Sequence, residues 1–415
     1  MRCLDYTIGP SRLLTPVLSS TKMDVNGPAI AVCDIWSDSD SGSSLRTKAL
    51  LFGYYGSRNL GDELMLYCLR GWLEAQGVEI SVLAEDPAEV ERVHQLPAIP
   101  RVPLLGEWAI YESWVRGAGW NLLSRLREFD MLIHGGGECI RDDCGPGQFW
   151  YSVECLVAAL LMGKQVCLLN VGLGRLRVDH ARRVLSWILR RSAKTVVRDQ
   201  RSVEVCHALG AANVHYAPDI VSLLPGLLGF YPSLAASGEG CRYVLVCLRD
   251  RANFYGRYAM TDERLSTLAG GLDALVEGRG LRVKFLPFQD CPSGVNDNRV
   301  HDEVFRRMQH REAAEVLEWS DDFYALGKTF AGAQAVIAMR LHAAILAKAF
   351  LKPCAIMPYD QKLLEFGQQL GVDDSIPADT LDSGEKTRVA LERLFSQHAR
   401  PPGEAPPDRW ENLRL

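Results

Sequence analysis

The stretch Ala335-Val336-Ile337-Ala338-Met339-Arg340-Leu341-His342-Ala343 decides how this chain is read. Its first four residues are small or branched and apolar, which predicts a buried parallel strand. Ala343 to Ala349 continues as the opening of a helix. Arg340 and His342 therefore fall on a strand-to-helix junction. In open α/β sheets, ligands gather outside the carboxyl ends of strands, where the free N–H groups of the next helix point. A guanidinium offers paired donors to carboxylate or phosphate, and an imidazole exchanges a proton near neutral pH. The pair suggests an anionic substrate that undergoes proton transfer. Taken alone, an Arg-x-His at a strand end also fits a purely structural role.

Two more strand-to-turn junctions lie upstream. Leu50-Leu51-Phe52-Gly53-Tyr54-Tyr55-Gly56-Ser57-Arg58-Asn59-Leu60-Gly61-Asp62-Glu63 runs from an apolar strand through a glycine-rich turn into a helix. It is neither a G-x-G-x-x-G nor a Walker loop, which weakens dinucleotide and P-loop readings. Met131-Leu132-Ile133-His134-Gly135-Gly136-Gly137 again runs from a strand into glycines. Between such junctions, apolar runs predict strands at 48–53, 79–84, 130–134, 165–171, 194–198 and 213–216. Helical patterns fit between them at 62–76, 151–163 and 179–192. That alternation predicts βαβ units and a parallel sheet. Gly229, Pro232, Ser233, Ser237 and Gly238 mark a linker over 226–240. A second series follows, with strands near 243–248, 282–287, 334–338 and 354–357 and helices at 261–277, 301–310, 341–350 and 361–370. The expected class is α/β, with two doubly wound Rossmann-like domains (47–225 and 241–372) facing a cleft in a GT-B-like arrangement. Residues 373–415 read as a helix and a polar, proline-rich tail.

Composition narrows the function classes. Among 415 residues, 47% are hydrophobic, enough to bury two ordinary cores. Lys plus Arg number 46 against 51 Asp plus Glu, a net charge of −5. A nucleic-acid binder would show a basic face, so none is expected as partner. The 12 cysteines include no C-x-x-C pair; Cys167, Cys247 and Cys354 sit in apolar runs, where free thiols behave as small hydrophobes. A reducing cytoplasm fits better than a disulfide framework. No run approaches the roughly 20 apolar residues that span a bilayer, and the N-terminus lacks the apolar core of a signal peptide. Residues 1–46, with Ser37-Asp38-Ser39-Asp40-Ser41, read as a disordered or loosely attached extension that is dispensable for folding. Met23 is a candidate alternative start. Neither an H-E-x-x-H nor a Cys/His cluster is present, so no metal and no cofactor is expected.

Taken in order, five pieces resemble the polysaccharide pyruvyl transferase family. They are Gly53-Tyr54-Tyr55-Gly56 with Asn59-Leu60-Gly61-Asp62-Glu63, then Gly135-Gly136-Gly137, Val197-Arg198-Asp199, Met339-Arg340-Leu341-His342 and Pro358-Tyr359-Asp360-Gln361-Lys362. Glu138-Cys139-Ile140-Arg141-Asp142 departs from the pattern, since the family more often has a small polar residue directly after the glycines. The resemblance implies transfer of a pyruvyl group from phosphoenolpyruvate to two hydroxyls of a sugar, forming a cyclic ketal. The acceptors implied are cell-wall or other cell-surface polysaccharides, S-layer-anchoring glycans and lipid-linked precursors at the inner membrane face.

That chemistry dictates a parts list. Cations must hold the donor's carboxylate and phosphate, an acid must protonate its methylene carbon, and a base must take the hydroxyl proton. Fixed donors aimed at the developing charge lower the barrier. His342 is the candidate acid and phosphate partner, because its unperturbed pKa of about 6.5 allows either state. Arg340 would clamp phosphate or carboxylate, with Lys362, Arg198 and Arg249 as further donor-side cations on the C-terminal side of the cleft or facing it. Each has a plain alternative: Lys362 as a solvated surface lysine, Arg198 in a salt bridge with Asp199, Arg249 facing solvent. Arg201 is a weaker alternative to Arg198. The first domain is assigned to the acceptor through Gly56, Asn59, Gly61, Asp62, Gly136 and Gly137, with Asp62 as candidate base. Asp62 and Glu63 are equally explained as first-turn carboxylates on a helix dipole, and the glycines as tight-turn geometry. Asp219, Gln289 and Asp290 are further cleft candidates. Trp108, Trp114 and Trp120 read as core or lid residues before a sugar-stacking platform. Two other functions remain open: a nucleotide-sugar-dependent GT-B glycosyltransferase, and a non-catalytic glycan- or anion-binding module.

Overall fold

The computed structural model describes residues 46–102, 104, 117–137, 140–143, 146–230, 242–250, 258–291, 294–359, 361–372, 374–396 and 413. The readings placed on residues 1–45, on linker positions 231–240, on Glu138, Cys139, Trp108, Trp114 and Asp360, and on the tail at 397–412 lie outside the described residues.

The first seven strands are β1 (Lys48–Phe52), β2 (Glu79–Ala84), β3 (Ala98–Pro100), β4 (Met131–Gly135), β5 (Gln165–Val171), β6 (Lys194–Val197) and β7 (Val214–Tyr216). They form one parallel sheet in the order β3-β2-β1-β4-β5-β6-β7. β1 sits at its centre, with Phe52 opposite both Leu83 and His134. The second sheet holds β8 (Tyr243–Cys247), β9 (Arg282–Phe285), β10 (Ala314–Val316), β11 (Ala335–Ala338), β12 (Cys354–Ile356) and β13 (Asp374–Ser375). Its order is β10-β9-β8-β11-β12-β13, again parallel, with β8 and β11 central. Both orders are doubly wound. The helices of the first half are α1 (Leu60–Glu74), α2 (Pro87–His94), α3 (Ala118–Leu126), α4 (Pro146–Leu161), α5 (Asp179–Leu189), α6 (Gln200–Ala208) and α7 (Leu224–Leu227). Those of the second are α8 (Asp262–Arg279), α9 (Asn298–Arg307), α10 (Phe323–Gly332), α11 (Leu341–Ala349), α12 (Gln361–Gln369) and α13 (Gly384–Ser396).

Strands covered by helices on both faces need apolar residues at every position. β1 shows why: Ala49 and Leu51 feed one core while Leu50 and Phe52 feed the other. The first of these cores does not stop at the domain boundary. It runs from Leu60, Leu64 and Leu73 of α1 through Leu224 to Leu245, Phe330, Ala343 and Leu346 of the second half. The two halves are thus joined by apolar burial, which stabilises by about 25 cal/mol per Å². Polar links add register. Leu60 N–H donates to Phe288 O at 2.7 Å, and Asn59 bridges antiparallel to Gln289. Arg58 pairs with Asp290 at 3.0 Å, and Arg92 with Asp321 at 2.6 Å. These partly exposed pairs contribute little, about 0–1 kcal/mol each. Apolar packing decides the docking.

The 12 cysteines include at least six buried free thiols, at Cys68, Cys155, Cys167, Cys206, Cys247 and Cys354. Among the described residues no helix is long and apolar enough to cross a membrane.

Candidate functional site

Arg340 lies two residues beyond β11, at the N-cap position of α11, as the strand-to-helix reading requires. Its guanidinium does not stand free. Nε and Nη2 donate to the two oxygens of Asp297 at 3.0 and 2.5 Å, and Nη2 also donates to Gln289 Oε1 at 3.1 Å. Asp297 is fully buried and collects three backbone donors besides, from Asp250, Phe288 and Gln289, each at 3.0 Å. Burying a carboxylate this deeply is costly unless donors converge on it, as they do here. Close by, His301 is pushed down to about 4 by burial despite Asp297. It stays neutral and accepts the Leu248 N–H at Nε2. Strand ends β8, β9 and β11 are thereby tied together under Arg340.

From the opposite sheet, Arg198 follows β6 and is buried. It pairs not with its neighbour Asp199 but with Asp219, Nη1 to Oδ2 at 2.7 Å. Asp199 is taken instead by capping α6, accepting from Ser202 N–H. Asp219 also lies 3.8 Å from His342 Nε2. That is too long for a hydrogen bond and short for a charge contact. Arg198 additionally reaches across the boundary, its Cζ 5.8 Å from the Phe366 ring. The His342 ring rests on the first turn of α1: a Cβ added at Gly61 would lie 2.1 Å from its Nδ1. Only glycine admits this imidazole.

Asp62, the next residue on α1, is raised from 3.8 to about 7. Burial is the largest cause, then Glu63; Arg198 and Arg340 oppose them, and Asp219 adds to the rise. The helix dipole would favour the ionised form, and here desolvation overrides it. Because the folded state holds this proton more tightly than the unfolded chain, stability is lost as pH climbs from about 4 through 7. Asp62→Asn removes that loss. The variant should gain on the parent as pH rises from 4.5 to 8, by at most about 4 kcal/mol. Urea unfolding at the two pH values measures it, and a difference that does not change with pH would refute the assignment.

The remaining candidates divide. Arg249 is half-buried beyond β8, its Cζ 4.6 Å from the Tyr359 ring and its N–H on Met339 Sδ; it flanks Arg340 across the β8–β11 pair and is not a surface arginine. Arg201 is exposed on α6. Lys362 is the second residue of α12, but its side chain lies outside the described residues. Asn59 caps α1, accepting from Gly61 N–H at 3.2 Å, and bridges to Gln289. Glu63 does more than face a dipole: it accepts from Gly56 N–H and from buried His94, each at 2.9 Å. Gly56 is thus already engaged in folding its own turn. Gly136, at φ 82°, would strike Met65 Sδ with any Cβ, so packing alone explains that glycine. Gly137 follows it at φ 78°. Asp290 is spent on Arg58 and Asn296. Trp120 is 65% exposed on α3 and so is not a core residue. Asp297 was not singled out by the sequence; its polar neighbours Asn296 and Asn298 make it read as a loop.

Two Rossmann-like domains that turn carboxyl strand ends toward a shared cleft define the GT-B-like class. Solved structures of the same fold include the S. aureus MnaA–UDP co-structure, at TM-score 0.57 and 12% identity, covering 86% of this chain and 93% of that one. The UDP-GlcNAc 2-epimerase of Methanocaldococcus jannaschii overlaps at TM-score 0.56 and 13% identity, over 86% of this chain and 96% of that one. At such identity the likeness is one of fold alone. The polysaccharide pyruvyl transferase family matches residues 59–361, and the chain belongs to that family. A curated relative is the amylovoran biosynthesis protein AmsJ of Erwinia amylovora, 25% identical over 377 residues, covering 79% of this chain and 87% of the relative. The protein is a transferase of polysaccharide biosynthesis.

Proposed function

We propose that this transferase takes its pyruvyl group from phosphoenolpyruvate and sets it as a ketal on a sugar of a cell-surface polysaccharide or a lipid-linked precursor, working at the cytoplasmic face of the membrane. The observation that carries the reading is the convergence of Arg198, Arg340, Asp219 and His342 around Asp62 at facing strand ends. Arg340, held in place by Asp297, keeps Nη1 for a donor oxygen, and Arg198 and Arg249 supply further positive charge. Lys362 is the fourth cation of this set. His342 gives a proton to the methylene carbon as a sugar oxygen bonds to the neighbouring carbon. Asp62, near neutrality in its titration, takes the hydroxyl proton. The second hydroxyl then displaces phosphate at the same carbon, closing the ketal; its proton leaves with inorganic phosphate. Charge stabilisation comes from arginine, lysine and imidazole, and the reading needs no metal or cofactor.

The test is incubation with phosphoenolpyruvate and a panel of lipid-linked disaccharides, followed by mass spectrometry for a pyruvate adduct and by assay of inorganic phosphate. Phosphate release that depends on acceptor supports the reading. Sugar transfer from UDP-sugars in the absence of phosphoenolpyruvate would replace it with the glycosyltransferase reading. Gly61→Ala supplies a local check. Alanine suits a helix's first turn, so the fold should hold, while the displaced His342 ring should lower turnover by about 10²-fold. A variant with parental turnover would remove His342 from the reacting centre.

A further inference from the structure

We propose that Arg101, His134 and Tyr151 form a second, oxyanion-binding subsite on the first domain, which takes a carboxylate or phosphate carried by the acceptor; this rests on the acceptor role assigned to that domain above. Arg101 directly follows β3, its N–H on Ala84 O, so its side chain starts at the carboxyl end of the sheet. Its guanidinium lies flat on Tyr151 of α4, Cζ 3.3 Å from the ring centroid, and 5.5 Å from the Phe52 ring. Nε and Nη2 are buried and have no hydrogen-bond partner among the described residues. The carboxylates nearby are occupied: Glu85 accepts from Tyr151 Oη, and Glu154 accepts from Leu104 N–H at 3.0 Å.

His134 adds a second orphan to the same place. It is buried at the end of β4, edge-on to Phe52 at 4.7 Å, and its Nδ1 has no hydrogen-bond partner among the described residues. Burial, then the charge of Arg101, holds it down to about 3, so it is a neutral imidazole. Buried donors are rarely left unpaired, and each such group costs about 1–3 kcal/mol. A guanidinium cannot shed its proton to escape that cost. Two orphaned guanidinium nitrogens beside a neutral buried imidazole describe a site completed from outside. Tyr54, 42% exposed, meets Tyr151 edge-on at 6.4 Å on the solvent side of the cluster. An apolar ring and a fork of donors suit a sugar that bears an oxyanion. The β1 and β4 turns are pinned to each other by Tyr55 Oη on Gly135 O.

Calorimetry on the full chain tests the site without donor, using three probes: a glucuronic-acid-containing disaccharide, its neutral glucose counterpart, and the neutral disaccharide's 1-phosphate. The parent should bind one anionic probe about 10- to 100-fold more tightly than the neutral one, and Arg101→Gln should abolish the preference. Preference for the glucuronate assigns a carboxylate within the glycan; preference for the 1-phosphate assigns the phosphate of a carrier linkage. Equal binding of all three by the parent, or a preference that survives in Arg101→Gln, overturns the subsite. If Arg101→Gln does not fold, Arg101→Lys keeps the charge without the fork and should show a reduced preference; an undiminished one is likewise fatal. Pyruvyl transfer is assayed in parallel with the same probes. Arg101-dependent binding without any adduct would fault the donor assignment and leave the anion subsite standing.

Discussion

Asp297→Ala should lower the unfolding free energy by about 3–5 kcal/mol, the cost of leaving a buried charge without its partner. Alanine there orphans Arg340 Nε, leaves Nη2 only Gln289 Oε1, and strips three backbone N–H groups of the carboxylate they converge on. Those donors come from three separate segments, at 250, 288–289 and 340, so no local rearrangement can satisfy all of them. Arg340→Ala is the informative contrast. It leaves Asp297 with its three backbone donors and should therefore destabilise less, while costing about 2–5 kcal/mol of transition-state stabilisation because the donor's oxygens lose their fork. Denaturant unfolding at constant m measures the first quantity and kcat/KM the second. If Asp297→Ala unfolded within 1 kcal/mol of the parent, the carboxylate would not be the keystone of these strand ends.

The contrast explains what could be read from the chain in advance. Ala335–Ala338 announces a strand because a parallel strand buried on both faces has no polar positions, and Arg340 and His342 follow by adjacency. The same holds for Leu50–Phe52 and for Val196–Val197, which Arg198 follows. The short strands β3, β10 and β13 gave no such signal. They have two or three residues each, and β3 contains Pro100, which suits the sheet edge where it lies. The partners of the cations were the least legible. Arg198 prefers Asp219, 21 positions away, to adjacent Asp199, because Asp199 faces the helix end it caps. Asp297 gathers donors 8, 9, 43 and 47 residues distant. No local pattern carries that information; it exists only once both sheets have formed. Arg101 and His134 are likewise brought together by two different strands. Asp62 shows the reverse lesson, since its helix position was plain while the burial that governs its titration was not.

His342→Gln should retain phosphoenolpyruvate binding and lose turnover by about 10²–10⁴-fold, the range expected when a general acid is removed. The substitution is chosen because glutamine keeps a hydrogen-bond donor of similar reach but cannot deliver a proton at neutral pH. The surroundings make a proton-handling role sensible: the imidazole lies against Gly61 with the Asp219 carboxylate 3.8 Å from Nε2, the partner an imidazolium would have. Asp219 is itself steadied by Arg198, so moving a proton at His342 does not leave a lone buried charge. Asp62 stands beside both, poised near 7, and two groups with different surroundings can divide acid and base work between them. Equilibrium binding of phosphoenolpyruvate and single-turnover rates separate the alternatives. A variant that turns over normally but binds the donor weakly would make His342 a phosphate ligand, and the acid would then have to be Asp62 in its protonated form, with the rate falling as pH rises through about 7.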